Sequence, residues 1–178
     1  MKIVILVSIL STLLFVKGDI VVDKNLKVNK AMIVYKGADN ARPTYCGDRM
    51  HGDTISLFLS KGGLAGYTFG LDIIGDKKTV SLFKWSDYPQ FDGESSTKLP
   101  IYGYKLKINK NVFKEGDTLK ATFFVVTNKN KYSDKVKVSG EIYHIIGGNL
   151  FSWWGLDNDR NKLYKNGFPK REQVKDSL

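Results

Sequence analysis

From Ala31 onward the apolar residues of this chain recur mostly at every second position, in short runs broken by Gly, Asn and Asp. That alternation belongs to strands with one face buried and the other in water, and helical periodicity is scarce. Seven segments carry it, at 31–37, 54–60, 67–74, 79–85, 101–109, 118–127 and 136–146. Seven short strands separated by turn signals predict an all-β fold, an antiparallel β-sandwich of about seven to eight strands followed by a short C-terminal aromatic and helical extension.

The same alternation assigns faces. Ile55, Leu57 and Leu59 share one side of their strand, as do Leu119, Ala121, Phe123 and Val125, and those sides are expected to meet in the core. Over 101–109 the apolar parity is Tyr102, Tyr104, Leu106 and Ile108, which turns Lys105 and Lys107 outward. Lys120 and Lys137 have the same outward parity on their strands. His144 sits on the apolar parity with Val138, Ile142 and Ile146, so it is expected to be a hydrogen-bonded core histidine. Turn-forming residues at 75–78 and 128–131 close two hairpins. The segment 86–100 is the longest irregular stretch, and loops of that length are often functional. Beyond Ile146 come Gly147 and Gly148, an aromatic run at 150–154 expected to pack against the sandwich, and a polar basic tail in which Pro169 opens a short helix.

The start of the chain differs in composition. Lys2 is followed by fourteen uncharged residues, 3–16, the charged start and apolar middle of an export signal. The run falls short of the roughly 20 residues a membrane-spanning helix needs. Cleavage is expected before Asp19, giving a leader at 1–18, a single β-sandwich domain at 19–178, no transmembrane segment after cleavage, and a secreted or periplasmic location. Cys46 is the one cysteine, so no intrachain disulfide forms. With no Asn-X-Ser/Thr acceptor present, the route leans towards bacterial export. The expected mature chain carries 26 basic and 18 acidic residues, unevenly placed: 11 against 10 up to residue 100, and 15 against 8 beyond it. That asymmetry predicts a basic surface that attracts anionic partners.

Reactive groups are densest at 45–53, which reads as a loop. A Cys nucleophile needs a base within reach and a third group to orient it, and Cys46, His51 and Asp53 or Asp48 supply those residue types. Their spacing matches no thiol-hydrolase signature, and the competing reading makes Cys46 a small buried residue beside a turn. Asp48, His51 and Asp53 are also suitable ligands for a divalent cation, but the chain has two histidines and no paired-His zinc spacing, so no metal and no cofactor is expected. Aromatic residues form the second candidate site: Trp85, Tyr88 and Phe91 around the long segment, and Trp153 and Trp154 beside the diglycine. Rings of this kind either cap the core or stack on sugars and lipid headgroups. No phosphate-cradling loop, serine elbow or nucleic-acid signature is present.

The first expectation is therefore an exported, non-enzymatic binding protein that recognises an anionic glycan, a lipid surface or another envelope component through Trp85, Tyr88, Phe91, Trp153, Trp154, Lys105, Lys107 and Lys137. The alternatives are a small secreted hydrolase using Cys46 and His51, and an exported factor of toxin or immunity type that binds a protein partner.

Overall fold

A computed structural model describes residues 17–88, 92–147 and 152–154. Among them the chain forms strands and no helix: β1 (Lys17–Val22), β2 (Met32–Tyr35), β3 (Thr44–His51), β4 (Thr54–Lys61), β5 (Ala65–Ile74), β6 (Lys77–Ser86), β7 (Ser96–Lys98), β8 (Ile101–Ile108), β9 (Thr118–Thr127), β10 (Lys137–Ile145) and β11 (Ser152–Trp154). They assemble into a five-stranded sheet, in the order β1-β8-β9-β10-β2, and a six-stranded sheet, in the order β11-β3-β4-β5-β6-β7. The β1–β8 pair is parallel and the rest are antiparallel.

Alternation builds the sandwich-like core. Leu57 and Leu59 of β4 and Leu71 and Phe69 of β5 turn inward from one sheet, and Leu106, Leu119, Val125 and Ile142 from the other, all essentially inaccessible to water. Phe69 and Phe123 stack across the gap with ring centroids 3.8 Å apart and planes 15° from parallel. Burying a side chain of this size stabilises the fold by about 1.5–3 kcal/mol. Gly140 of β10 lets that stack form, since a Cβ there would lie 2.2 Å from the Met32 carbonyl oxygen and 2.6 Å from Cζ of Phe123. Two-residue connections join β3 to β4 and β5 to β6, with Gly52 and Gly75 at φ of +56° and +58°, values that a Cβ disfavours.

All seven expected strands are present, but the described residues hold eleven. The segment 45–53 is not a loop: most of it is β3, whose inward positions are Thr44, Cys46 and Asp48 and so carry no hydrophobic alternation. β7 and β11 are three residues each, below the length at which a period shows, and β1 runs across the expected cleavage point. Tyr102 is a second correction. A register shift between Ile101 and Gly103 puts it on the outside, 51% exposed, while Tyr104 still packs against the core. A bulge of this kind inserts one residue and reverses the facing of what precedes it. The helix expected after Pro169 lies outside the described residues.

Candidate functional site

Chemistry-bearing side chains lie in two settings, one between the sheets and one on their outer faces. Inside, Asp48 of β3 meets His144 of β10 across the sandwich, with Oδ1 2.6 Å from Nε2 and side chains 2% and 3% exposed. The Gly147 amide donates to Oδ2 of the same carboxylate at 2.9 Å. Burial pushes the Asp48 carboxyl up, but the hydrogen bonds from His144 and Gly147 and the electrostatic pull of His144 outweigh it and hold the group below the usual carboxylate range. An ionised carboxylate can only accept, so Nε2 of His144 carries the proton they share. Cys46, two residues before Asp48 on β3, is fully buried. Burial and then the Asp48 charge push its thiol far up, which keeps it protonated and inert at neutral pH.

The three residues considered for catalysis are not brought together. Cys46 faces the core, whereas His51 ends β3 and Asp53 lies in the following turn, both exposed. Five residues of strand place His51 about 17 Å from Cys46, on the opposite parity. Asp48, the alternative orienting group, is engaged with His144 instead. Among the described residues no group of three or more His, Cys, Asp or Glu side chains is arranged to hold a metal ion.

On the outer face of the five-stranded sheet the register aligns the lysines. Lys105 is the partner of Phe124 and Lys107 of Thr122, while Lys137 pairs with Val126 and Lys120 with Tyr143. These four lysines therefore share one face. Lys105, Lys107 and Lys137 are exposed, and among the described residues none of the four enters an ion pair. Lys120 lies 5.9 Å from the Tyr143 ring centroid. Lys129 and Lys131, on the β9–β10 connection, are instead paired with Asp134 and Asp92.

The expected aromatic site divides. Tyr88 is 64% exposed, Phe91 lies outside the described residues, and Trp85 is half-buried on β6. Trp153 and Trp154 belong to β11, opposite Tyr45 and Thr44 of β3. Asp92, within the long segment, accepts hydrogen bonds from Lys131 at 2.5 Å and from the Tyr132 hydroxyl, and those bonds, Lys131's first, hold its carboxyl low. Lys84 of β6 donates to the Tyr132 carbonyl at 2.7 Å. The long segment is thereby tied to the β9–β10 connection.

Sequence reasoning missed a set of rings on the outer face of the six-stranded sheet. Tyr45, Phe58, Phe83 and Trp85 all have outward parity there, and Phe58 and Tyr45 each lie close over a glycine. A Cβ on Gly47 would lie 2.5 Å from Cζ of Phe58 and one on Gly62 3.0 Å from Tyr45, whereas one on Gly66 would meet the Tyr35 hydroxyl first and one on Gly70 would meet Ser81 Oγ. Strands are about 4.8 Å apart, so rings that reach the next strand lie across the sheet instead of standing on it. The signal available in sequence was outward glycine on β3 and β5 with outward aromatics on β4 and β6. Comparison with protein-family models, with curated proteins and with solved structures finds no match to this chain.

Proposed function

We propose that this protein is an exported binding domain, not an enzyme, and that the outer face of the five-stranded sheet recognises an anionic polymer or surface. The observation that carries this reading is the register placing Lys105, Lys107, Lys120 and Lys137 on one face without ion-pair partners among the described residues. Asp19 is the register partner of Lys105 and Lys120 lies near the Tyr143 ring, but ammonium groups outside ion pairs keep their field available to a ligand. The burial of Cys46 and its separation from His51 argue against the hydrolase alternative.

Retention on immobilised heparin tests the reading. It is expected to fall steeply between 0.1 M and 1 M NaCl, where the Debye length drops from about 10 Å to about 3 Å. Retention is expected to weaken further when Lys105, Lys107 and Lys137 are changed together to Glu. A triple variant retained as well as the parent overturns it.

Export is part of the same proposal. The leader is removed before Asp19, which leaves Asp19 to Val22 to pair with Lys105 to Ile108 on β8. Intact mass of the exported protein is expected to begin at or near Asp19, and a mass beginning at Met1 contradicts it.

A further inference from the structure

We infer that a groove at the open side of the sandwich, between β6 and β8, binds a single aliphatic chain with an anionic head, such as a fatty acid, the head pairing with the Lys98 ammonium group. The site lies between the sheets and goes beyond the reading of the lysine-bearing outer face. It arises from the way the chain leaves β6. β7 pairs only with Phe83, Lys84 and Trp85, and the Leu99 amide adds one more bond, donating to the Leu82 carbonyl at 2.8 Å. Pro100 has no N–H with which to continue the ladder, and the chain crosses there to the other sheet and begins β8 at Ile101. Residues 77–81 of β6 are left with no strand on that side among the described residues. The opening is a groove of about 440 Å³ lined by Val80, Lys98, Leu99, Pro100, Ile101 and Tyr104. Sites for small molecules span roughly 300–1,000 Å³, so the groove is large enough for one.

The chemistry of the walls selects the ligand. Five of the six lining residues present aliphatic or aromatic carbon, and the sixth is a cation. None of the six is acidic, and among the described residues Lys98 enters no ion pair. An ammonium group at the margin of an apolar trough complements a carboxylate on a hydrocarbon tail, and a hydrogen bond between two charged groups is roughly twice as strong as a neutral one. A sugar would instead leave hydroxyls against carbon and lose their bonds to water. The direction of the tail follows from the two ends. Lys98 is the strand partner of Phe83, and Val80 is three residues back along β6, about 10 Å away. Past Val80 the Lys78 ammonium bridges to the β8–β9 connection, donating to the Asn111 carbonyl at 2.8 Å and to its Oδ1 at 2.6 Å, and also to the Asp76 carbonyl at 2.9 Å. That cation is satisfied by the protein, so the ligand's charge goes to Lys98 and its tail runs towards Val80. The β1 side of the opening is apolar as well: Ile20 and Val22 are the register partners of the buried Leu106 and Ile108, yet are 37% and 42% exposed.

Titration with hexanoate, octanoate and decanoate, followed by the methyl NMR signals of the protein, tests this. Decanoate is expected to move the Val80, Leu99 and Ile101 methyl signals together and to leave those of Val126, the strand partner of Lys137 on the outer face, in place. Affinity should rise by about ten-fold or more from hexanoate to decanoate, as methylenes are added against the apolar wall. Lys98→Glu, at an exposed position that leaves the fold intact, should weaken decanoate by about ten-fold, and the cationic decyltrimethylammonium should bind the parent more weakly than decanoate by a similar factor. The Lys105/Lys107/Lys137 triple-Glu variant should bind decanoate like the parent. Groove methyls that decanoate does not move, equal binding by parent and Lys98→Glu, or equal binding of the anionic and cationic amphiphiles overturns the assignment. Groove methyls that respond to protein concentration and not to decanoate mark a second copy of the chain in the groove and overturn it too. The two sites are separable: loss of heparin retention in the triple variant with decanoate binding intact supports both, and decanoate binding without any heparin retention removes the first reading and leaves this one.

Discussion

The buried carboxylate of Asp48 is matched by partners of the protein's own, and the lysines on the outer face of the five-stranded sheet enter no ion pair among the described residues. Asp48 has His144 and the Gly147 amide around its carboxylate, with side chains almost wholly removed from water. Lys105, Lys107 and Lys137 project from a sheet with no anion within ion-pair distance among the described residues. A buried charge must be satisfied by the protein itself, because leaving it alone costs several kcal/mol. An exposed one is satisfied by water at little cost and stays available to a partner. Asp48, His144 and Cys46 are therefore structural, and the binding proposed above rests on the exposed lysines.

The largest effect that can break this comparison is expected from Asp48→Ala. Removing one partner of a buried, hydrogen-bonded pair costs about 3–5 kcal/mol, which at about 2–4 °C per kcal/mol lowers the unfolding temperature by roughly 10 °C. Calorimetry of the variant checks it; a change below about 0.5 kcal/mol, the range of ordinary surface substitutions, would place Asp48 with them instead.

Acid should act through the same pair. The folded-state value of Asp48 is depressed, so its stabilising contribution is complete above the ordinary carboxylate value of about 3.9 and is lost as pH falls through the lower folded value. Denaturant midpoints measured from pH 6 down to pH 2 should decline mainly below about pH 4 in the parent and less steeply in Asp48→Asn. Equal slopes for the two proteins would remove Asp48 as the source.

Cys46 offers a finer test. A fully buried thiol with a raised value should react with a thiol reagent at neutral pH only as fast as the fold opens. Labelling of the native protein should therefore be far slower than in denaturant, and equal rates would contradict the placement of Cys46.

Much of the interior was legible before the fold was known. Period two located seven strands, and parity alone put Leu57, Phe123 and His144 inside and Lys105, Lys107, Lys120 and Lys137 outside. What escaped had physical reasons. β3 is held by a polar pair, so its inward residues look like a loop rich in reactive groups, and the partner of Asp48 lies 96 residues away. Tyr102 alternates with the apolar residues of β8, but a bulge turns it out. The rings of Tyr45, Phe58 and Phe83 have outward parity and would pass for ordinary surface residues. The closeness of Phe58 to Gly47 exists only across strands, where pairing register is needed to see it.

The smallest expected change in stability comes from the lysine face, where substitutions away from any partner should stay within about 0.5 kcal/mol each. The same substitutions should have the largest effect on binding, and that contrast tests the account most directly. Heparin affinity of the parent and of the Lys105→Glu, Lys107→Glu, Lys137→Glu triple variant should be measured across a salt series, with the unfolding temperature of each protein alongside. The account predicts an affinity lower by about ten-fold or more at 0.1 M NaCl and a shallower salt dependence, in a protein whose unfolding temperature is nearly unchanged. Equal affinities and equal salt slopes in two equally stable proteins would contradict it.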